Sequence, residues 1–262
     1  MLRATDRSAI WSNGRVRRTF NATIPVELEL PAEMVEPLRQ LFAGEYESRY
    51  VGRGLTILDI GANVGAFTLW ADLRWPGSTI HAYEPHPGTF SILERNVREL
   101  PNVTCRAAAV YPSDKVSEPL HAGFAGDGQA GLVEAMRTTW QSMADERIVE
   151  VAVAHPRDLP RADIVKVDAE GSEGAIVEGL DLSETSLLLV EYQNGEVLGR
   201  IRRAVEERFD VVEHVSHPWS EVLFVPEYRR ELEGDRYGTL ILVNRRHNRL
   251  RRVDEPVPAP GA

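Results

Sequence analysis

The chain has 262 residues, with 30 lysines and arginines against 40 aspartates and glutamates, giving a formal net charge of −10. That length suits one full α/β domain with additions, and the acidic balance works against nonspecific attraction to nucleic acid, so no nucleic-acid partner is expected. The single cysteine, Cys105, excludes an internal disulfide, and no Cys/His grouping has zinc-ligand spacing, so no metal ligand is assigned.

From the N-terminus, MLRATDRSAIW is too polar for a signal peptide, and no apolar run approaches the ~18 to 20 residues of a membrane span. A cytoplasmic protein without a membrane partner is expected. Residues 1–44 form an N-terminal extension outside the regular pattern, suited to covering a substrate or cofactor. Two basic patches, at Arg15, Arg17 and Arg18 and at Arg245 to Arg252, read as solvated surface flanking the folded region. Only Lys115 and Lys166 are lysines, which makes Lys166, inside an apolar run, conspicuous.

Short apolar runs rich in β-branched residues then alternate with helical patterns, as in a doubly wound parallel sheet covered on both faces. The strands fall at Thr56 to Ile60, Thr79 to Glu84, Val103 to Ala109, Ile164 to Asp168, Leu187 to Tyr192, Val211 to Val215 and Thr239 to Asn244. The helices fall at Ala66 to Arg74, Thr89 to Leu100, Glu173 to Leu180 and Glu196 to Arg208. Two of these carry apolar stripes, Phe90, Leu93 and Val97 in one and Val197, Ile201 and Val205 in the other, which read as packing faces. The long connection at 111–160 suits a helix through Leu132, Met136, Trp140 and Met143 and an extra strand at Ile148 to Val153. The domain is placed at 45–246, and the end, 247–262, closing on VDEPVPAPGA, is expected to be disordered.

Strand Thr56 to Ile60 runs straight into Gly61-Ala62-Asn63-Val64-Gly65 and a helix. Such a turn places unpaired backbone N–H groups at the carboxyl end of a strand, which is a ligand position. Its glycines let the backbone approach a ligand, and Asp59 supplies a carboxylate able to hold a cationic amino group. Glu84 ends the next strand, 23 residues after Gly61, where an acid in this topology accepts hydrogen bonds from ribose hydroxyls. Together these point to a nucleoside cofactor. A dinucleotide dehydrogenase would need glycine where Asn63 and Ala66 stand, so pyrophosphate fits poorly and a ligand without phosphates fits better.

A second constellation, Asp163 to Glu173 (DIVKVDAEGSE), ends a strand in three carboxylates beside a glycine. The following strand, LLLVEYQ, ends in Glu191 on the side of the sheet where doubly wound folds bind ligands. Lys166 shares a face with Ile164 and Asp168, and a cation buried in a sheet needs a partner, for which Glu191 is the candidate.

Through LDIGANVGAFTLWA, AYEPHP, DIVKVDAEGSE and LLLVEY, in that order, the chain resembles the FkbM family of methyltransferases. The resemblance runs from about Glu45 to Glu191. It implies a class I, Rossmann-like seven-stranded sheet in the order 3-2-1-4-5-7-6 with the last strand antiparallel. It further implies S-adenosylmethionine as cofactor and methyl transfer to a hydroxyl of a sugar, lipid or natural-product small molecule. Carried over by residue, it puts Asp59, Gly61, Asn63, Gly65 and Glu84 on the cofactor and Asp168 beside the transferred methyl, with Glu45 and Tyr46 covering the methionine end. Removal of the hydroxyl proton then falls to Asp168 first and Glu191 second, ahead of His155, His214 and His217. Glu170 and Glu173 read equally as helix-capping groups. Two alternatives stay open: a divalent ion held by Asp168, Glu191 and Gln193, and a non-catalytic cofactor-binding module or partner subunit.

Overall fold

The computed structural model of the protein describes residues 15–20, 26–31, 49–122, 131–132, 147–218 and 236–253. In chain order they form β1 (Arg15–Phe20), β2 (Val26–Pro31), β3 (Tyr50–Val51), β4 (Thr56–Ile60), α1 (Ala66–Arg74), β5 (Thr79–Tyr83), α2 (Pro87–Val97), β6 (Val103–Arg106), β7 (Ala109–Val110) and β8 (Ser117–Ala122). There follow β9 (Gly131–Leu132), β10 (Arg147–Ala154), β11 (Ile164–Val167), α3 (Glu173–Gly179), β12 (Leu187–Tyr192), α4 (Gly195–Val205), β13 (Phe209–Pro218), β14 (Arg236–Asn244) and β15 (Arg251–Arg252). No helix among these residues is long and apolar enough to cross a membrane.

Seven strands make the main sheet, in the order β13-β14-β12-β11-β4-β5-β6. The pairs from β12 to β6 are parallel, and β14 runs antiparallel to both of its neighbours. Because the central strands are covered on both faces, successive residues feed two different cores. Ile57, Ile164, Leu187, Leu189 and Ile241 pack with Phe67, Trp70 and Ala71 of α1. Leu58, Ile60, Val165, Val167, Leu188 and Val190 pack with Ile176 of α3 and with Val197, Ile201 and Val205 of α4. Continuous apolar runs are what such two-sided burial demands.

Two of the four described helices are started by side-chain caps. His86 Nδ1 accepts the Thr89 N–H at 3.1 Å before Pro87 opens α2, and Asn194 Oδ1 accepts the Val197 N–H at 2.9 Å at α4. At the amino end of the sheet Asp163 accepts the Thr56 N–H at 2.8 Å and pairs with Arg249 at 2.9 Å, joining β4, β11 and the end of the chain.

Four expectations need correction. The strand expected at Val103 to Ala109 is two strands, because Ala108 N–H bonds back to the Arg106 carbonyl at 3.0 Å and turns the chain out of the main sheet. Its continuation, β7, joins a second sheet of order β7-β10-β8-β9. Leu132 lies in that sheet, on β9 opposite Leu120, and not in a helix; Met136, Trp140 and Met143 lie outside the described residues. The segment 247–253 is ordered, since Leu250 is buried in the core and β15 pairs with β3. The basic patches are likewise part of the fold: Arg17 and Arg18 belong to β1, while Arg245 pairs with Asp210 and Arg249 with Asp163.

Candidate functional site

The carboxyl ends of β4, β11 and β12 meet at one edge of the sheet. Val167 is in register with Ile60 on one side and Val190 on the other, so Asp168, one residue on, stands level with Gly61 and Glu191. Gly61, Asn63, Asp168 and Glu191 are partly exposed, whereas Asp59, Glu84 and Lys166 are buried behind them. The partly exposed set forms the open surface of the mouth, and Glu84 borders it from beneath through Asn63.

The N–H groups of the turn after β4 bond within the turn and to the end of β5. Gly61 and Ala62 N–H both donate to the Tyr83 carbonyl, at 3.0 and 2.9 Å, and Gly65 N–H donates to Ala62 at 2.9 Å. Asn63 N–H donates to Glu84 Oε2 at 3.0 Å, and Val64 N–H to Asn63 Oδ1 at 2.7 Å. All five N–H groups have partners within the protein, which corrects the expectation of unpaired ones. A phosphate cradle depends on free N–H groups, and this turn offers none.

Three residues of the turn have positive φ: Gly61 (75°), Asn63 (50°) and Gly65 (90°). At Gly61 the requirement is also steric, because a Cβ would lie 1.7 Å from the Asp168 carbonyl oxygen. The two loops that form the mouth are thus in direct backbone contact, and Asp168 N–H completes that contact by donating to Ile60 at 3.1 Å.

Beneath the mouth sits a buried charge cluster. Lys166 Nζ donates to the Gly61 carbonyl at 2.6 Å and lies 3.2 Å from Asp168 Oδ2 and 3.5 Å from Asp59 Oδ1. Burial alone would lower the ammonium's pKa, but the Asp168 and Asp59 carboxylates outweigh it and hold Lys166 firmly charged, with Glu191 adding to the same field. The cation expected to pair with Glu191 is therefore clasped by Asp59 and Asp168. Asp59 also accepts from Thr68 of α1, and burial raises its pKa against the pull of Lys166 and Thr68. Fully enclosed, it acts on the mouth through Lys166 and the turn. Thr68 carried a readable signal, a lone hydroxyl in the apolar helix AFTLWA, nine residues after Asp59.

Glu84 spends both oxygens on backbone, accepting Asn63 N–H and, at 2.8 Å, His86 N–H. Burial pushes it up to about 7 in spite of those bonds. Glu173, also buried, folds back over the turn that follows Asp168, accepting Ala169 N–H at 2.8 Å and Gly171 N–H at 3.1 Å, across the left-handed residues Glu170 and Gly171. It fastens the loop carrying Asp168. Burial raises it from 4.5 to about 7, opposed by the N–H groups of Glu173, Ala169 and Gly171. The folded state thus keeps a proton that the unfolded chain releases at lower pH, so this stabilisation is complete below about pH 4.5 and is lost as pH rises through about 7. Glu173→Gln, neutral throughout, should lose less stability than the wild type between pH 5 and pH 8. Denaturant midpoints across that range check this, and parallel profiles would refute it.

Among the histidines, His155 caps a short 3-10 turn and His214 Nε2 lies 2.8 Å from the Tyr192 hydroxyl on an exposed edge strand. The side chain of His217, and all of Glu45 and Tyr46, lie outside the described residues. No three His, Cys, Asp or Glu side chains among the described residues group as metal ligands; the cation placed against Asp168 is the Lys166 ammonium.

A doubly wound sheet with one antiparallel strand near its edge, carrying a glycine turn after its first long strand and an acid after the next, is the architecture of the class I methyltransferases. The chain belongs to the FkbM methyltransferase domain family, whose model matches residues 59–211, more than half of its length. The cofactor of that family is S-adenosylmethionine. Methyltransferase 1 of Beauveria bassiana is 31% identical over 145 residues, covering 48% of this chain and 58% of that one. The 31-O-demethyl-FK506 methyltransferase FkbM of Streptomyces tacrolimicus is 26% identical over 186 residues, covering 60% and 66%, respectively. Hexuronic acid methyltransferase AglP of Haloferax volcanii is 25% identical over 142 residues, covering 52% and 55%. The chain spans less than two thirds of the length of these relatives.

Proposed function

We propose that the protein transfers the methyl group of S-adenosylmethionine to a hydroxyl of a small molecule of the sugar, lipid or natural-product kind. The observation that carries the cofactor half is the self-satisfied turn: with every N–H of Gly61 to Gly65 already bonded, it suits a ligand without phosphates. In this reading Gly61, Asn63 and Gly65 shape the wall against which the nucleoside lies. Glu84 accepts from the ribose on the lone pairs left over from Asn63 and His86. Asp59 supports from beneath, and Asp168 faces the methyl. The cofactor brings an already activated methyl, so the chain's own work is alignment, exclusion of water and removal of a proton. The acceptor oxygen gives its proton to a carboxylate at the mouth, Asp168 or Glu191, as it takes the methyl.

The acceptor half is supported by the relatives whose names specify 31-O-demethyl-FK506 and a hexuronic acid. Residues 1–44 and the connection at 111–160 are the segments we assign to acceptor choice. Titration calorimetry tests the cofactor half: S-adenosylmethionine and its demethylated product should bind and NAD should not. Glu84→Ala should weaken both by about 1 to 3 kcal/mol, the scale of charge-assisted hydrogen bonds. Binding of NAD alone would overturn the reading.

A further inference from the structure

The buried Lys166 ammonium has no part in the reaction as described, yet it touches both loops of the mouth, through the Gly61 carbonyl and Asp168 Oδ2. A neutral donor would have sufficed to join two loops. A buried cation costs desolvation, here offset by Asp59 and Asp168, and its charge is felt by whatever binds beside those carboxylates. S-adenosylmethionine carries one positive charge that its demethylated product lacks, and the rest of the two ligands is the same. Around a mouth lined by Asp168 and Glu191, with Asp59 below, the uncompensated field would favour the sulfonium strongly. Binding spent on a charge that disappears on methyl transfer stabilises the ground state and slows the reaction.

We propose that Lys166 is a positioning residue that sets the charge of the mouth, lowering its preference for the cationic cofactor over the neutral product while it ties Asp168 to the cofactor turn. The inference rests on the assignment of this site to S-adenosylmethionine.

The test is the ratio of the two dissociation constants, in which contributions common to both ligands cancel. Lys166→Gln keeps a polar donor beside the two loops but removes the charge, and should shift the ratio toward S-adenosylmethionine by about tenfold, as for a unit charge acting across about 12 Å at an effective dielectric of about 20. Because that variant leaves Asp59 and Asp168 uncompensated and can fail to fold, a second pair of proteins carries the same test. Asp59→Asn retains the bond to Thr68, removes a negative charge and should shift the ratio toward the product. Adding Lys166→Gln to it restores the net charge and should bring the ratio back to within about threefold of wild type, by the same Coulomb reasoning. A strut with no electrostatic role would change both affinities together, so ratios that do not follow the charge overturn the inference. If wild type binds neither ligand, the cofactor assignment has failed instead.

Discussion

Gly61→Ala should unfold the mouth of the site, costing more than ~4 kcal/mol and abolishing cofactor binding, the range in which single substitutions report a specific steric failure. The added Cβ would stand 1.7 Å from the Asp168 carbonyl oxygen, and the atom in its way is backbone. Asp168 cannot retreat, because its N–H is bonded to Ile60, its carboxylate to Lys166, and the turn after it to Glu173. Gly54 supplies the control. It has a similar left-handed φ of 61°, but a Cβ there would meet nothing within 4 Å, so Gly54→Ala should cost only the ~1 to 2 kcal/mol of the backbone conformation. Denaturant unfolding of the two variants separates conformation from collision. Equal losses would mean that the Asp168 loop yields, and that the contact between the loops is not what shapes the mouth.

The same contact shows where reading the sequence stops. Local patterns sufficed for the central elements: Val197, Ile201 and Val205 are all buried on α4, and β4 and β12 begin and end where their apolar runs do. The β1–β2 hairpin had a signal of the same kind, since Val26, Leu28 and Leu30 alternate with glutamates and both leucines are fully buried. What escaped depends on partners distant in the chain. Nothing near Arg251 announces that it pairs with Val51, and a lone Leu250 among arginines does not look like core. The glycine turn was legible as a strand-to-helix turn, but the bonding of its N–H groups needed Tyr83 and Glu84 brought alongside. For Lys166, burial and the need of a partner were legible in its apolar run; choosing Asp59 over Glu191 takes the register between β4 and β11, which sets Lys166 directly opposite Asp59.

Asp168→Asn should lower turnover by ~10²-fold or more while the protein stays folded and still binds cofactor, if Asp168 is the base that receives the acceptor's proton. The substitution keeps shape and most hydrogen bonding. Lys166 retains Asp59 as a counter-charge and the Gly61 carbonyl as an acceptor, so the buried cation is not left alone. The loop itself is held by groups the substitution does not touch, the Asp168 N–H on Ile60 and the Glu173 carboxylate on Ala169 and Gly171. Three roles then give three patterns. A base loses turnover with little change in cofactor affinity; a group that only orients the cofactor loses both together; a metal ligand loses turnover that added magnesium partly restores. Glu191, level with Asp168 on the neighbouring strand and partly exposed, is the alternative base. Full turnover in Asp168→Asn, with a ~10²-fold loss in Glu191→Gln, would move the proton transfer to β12.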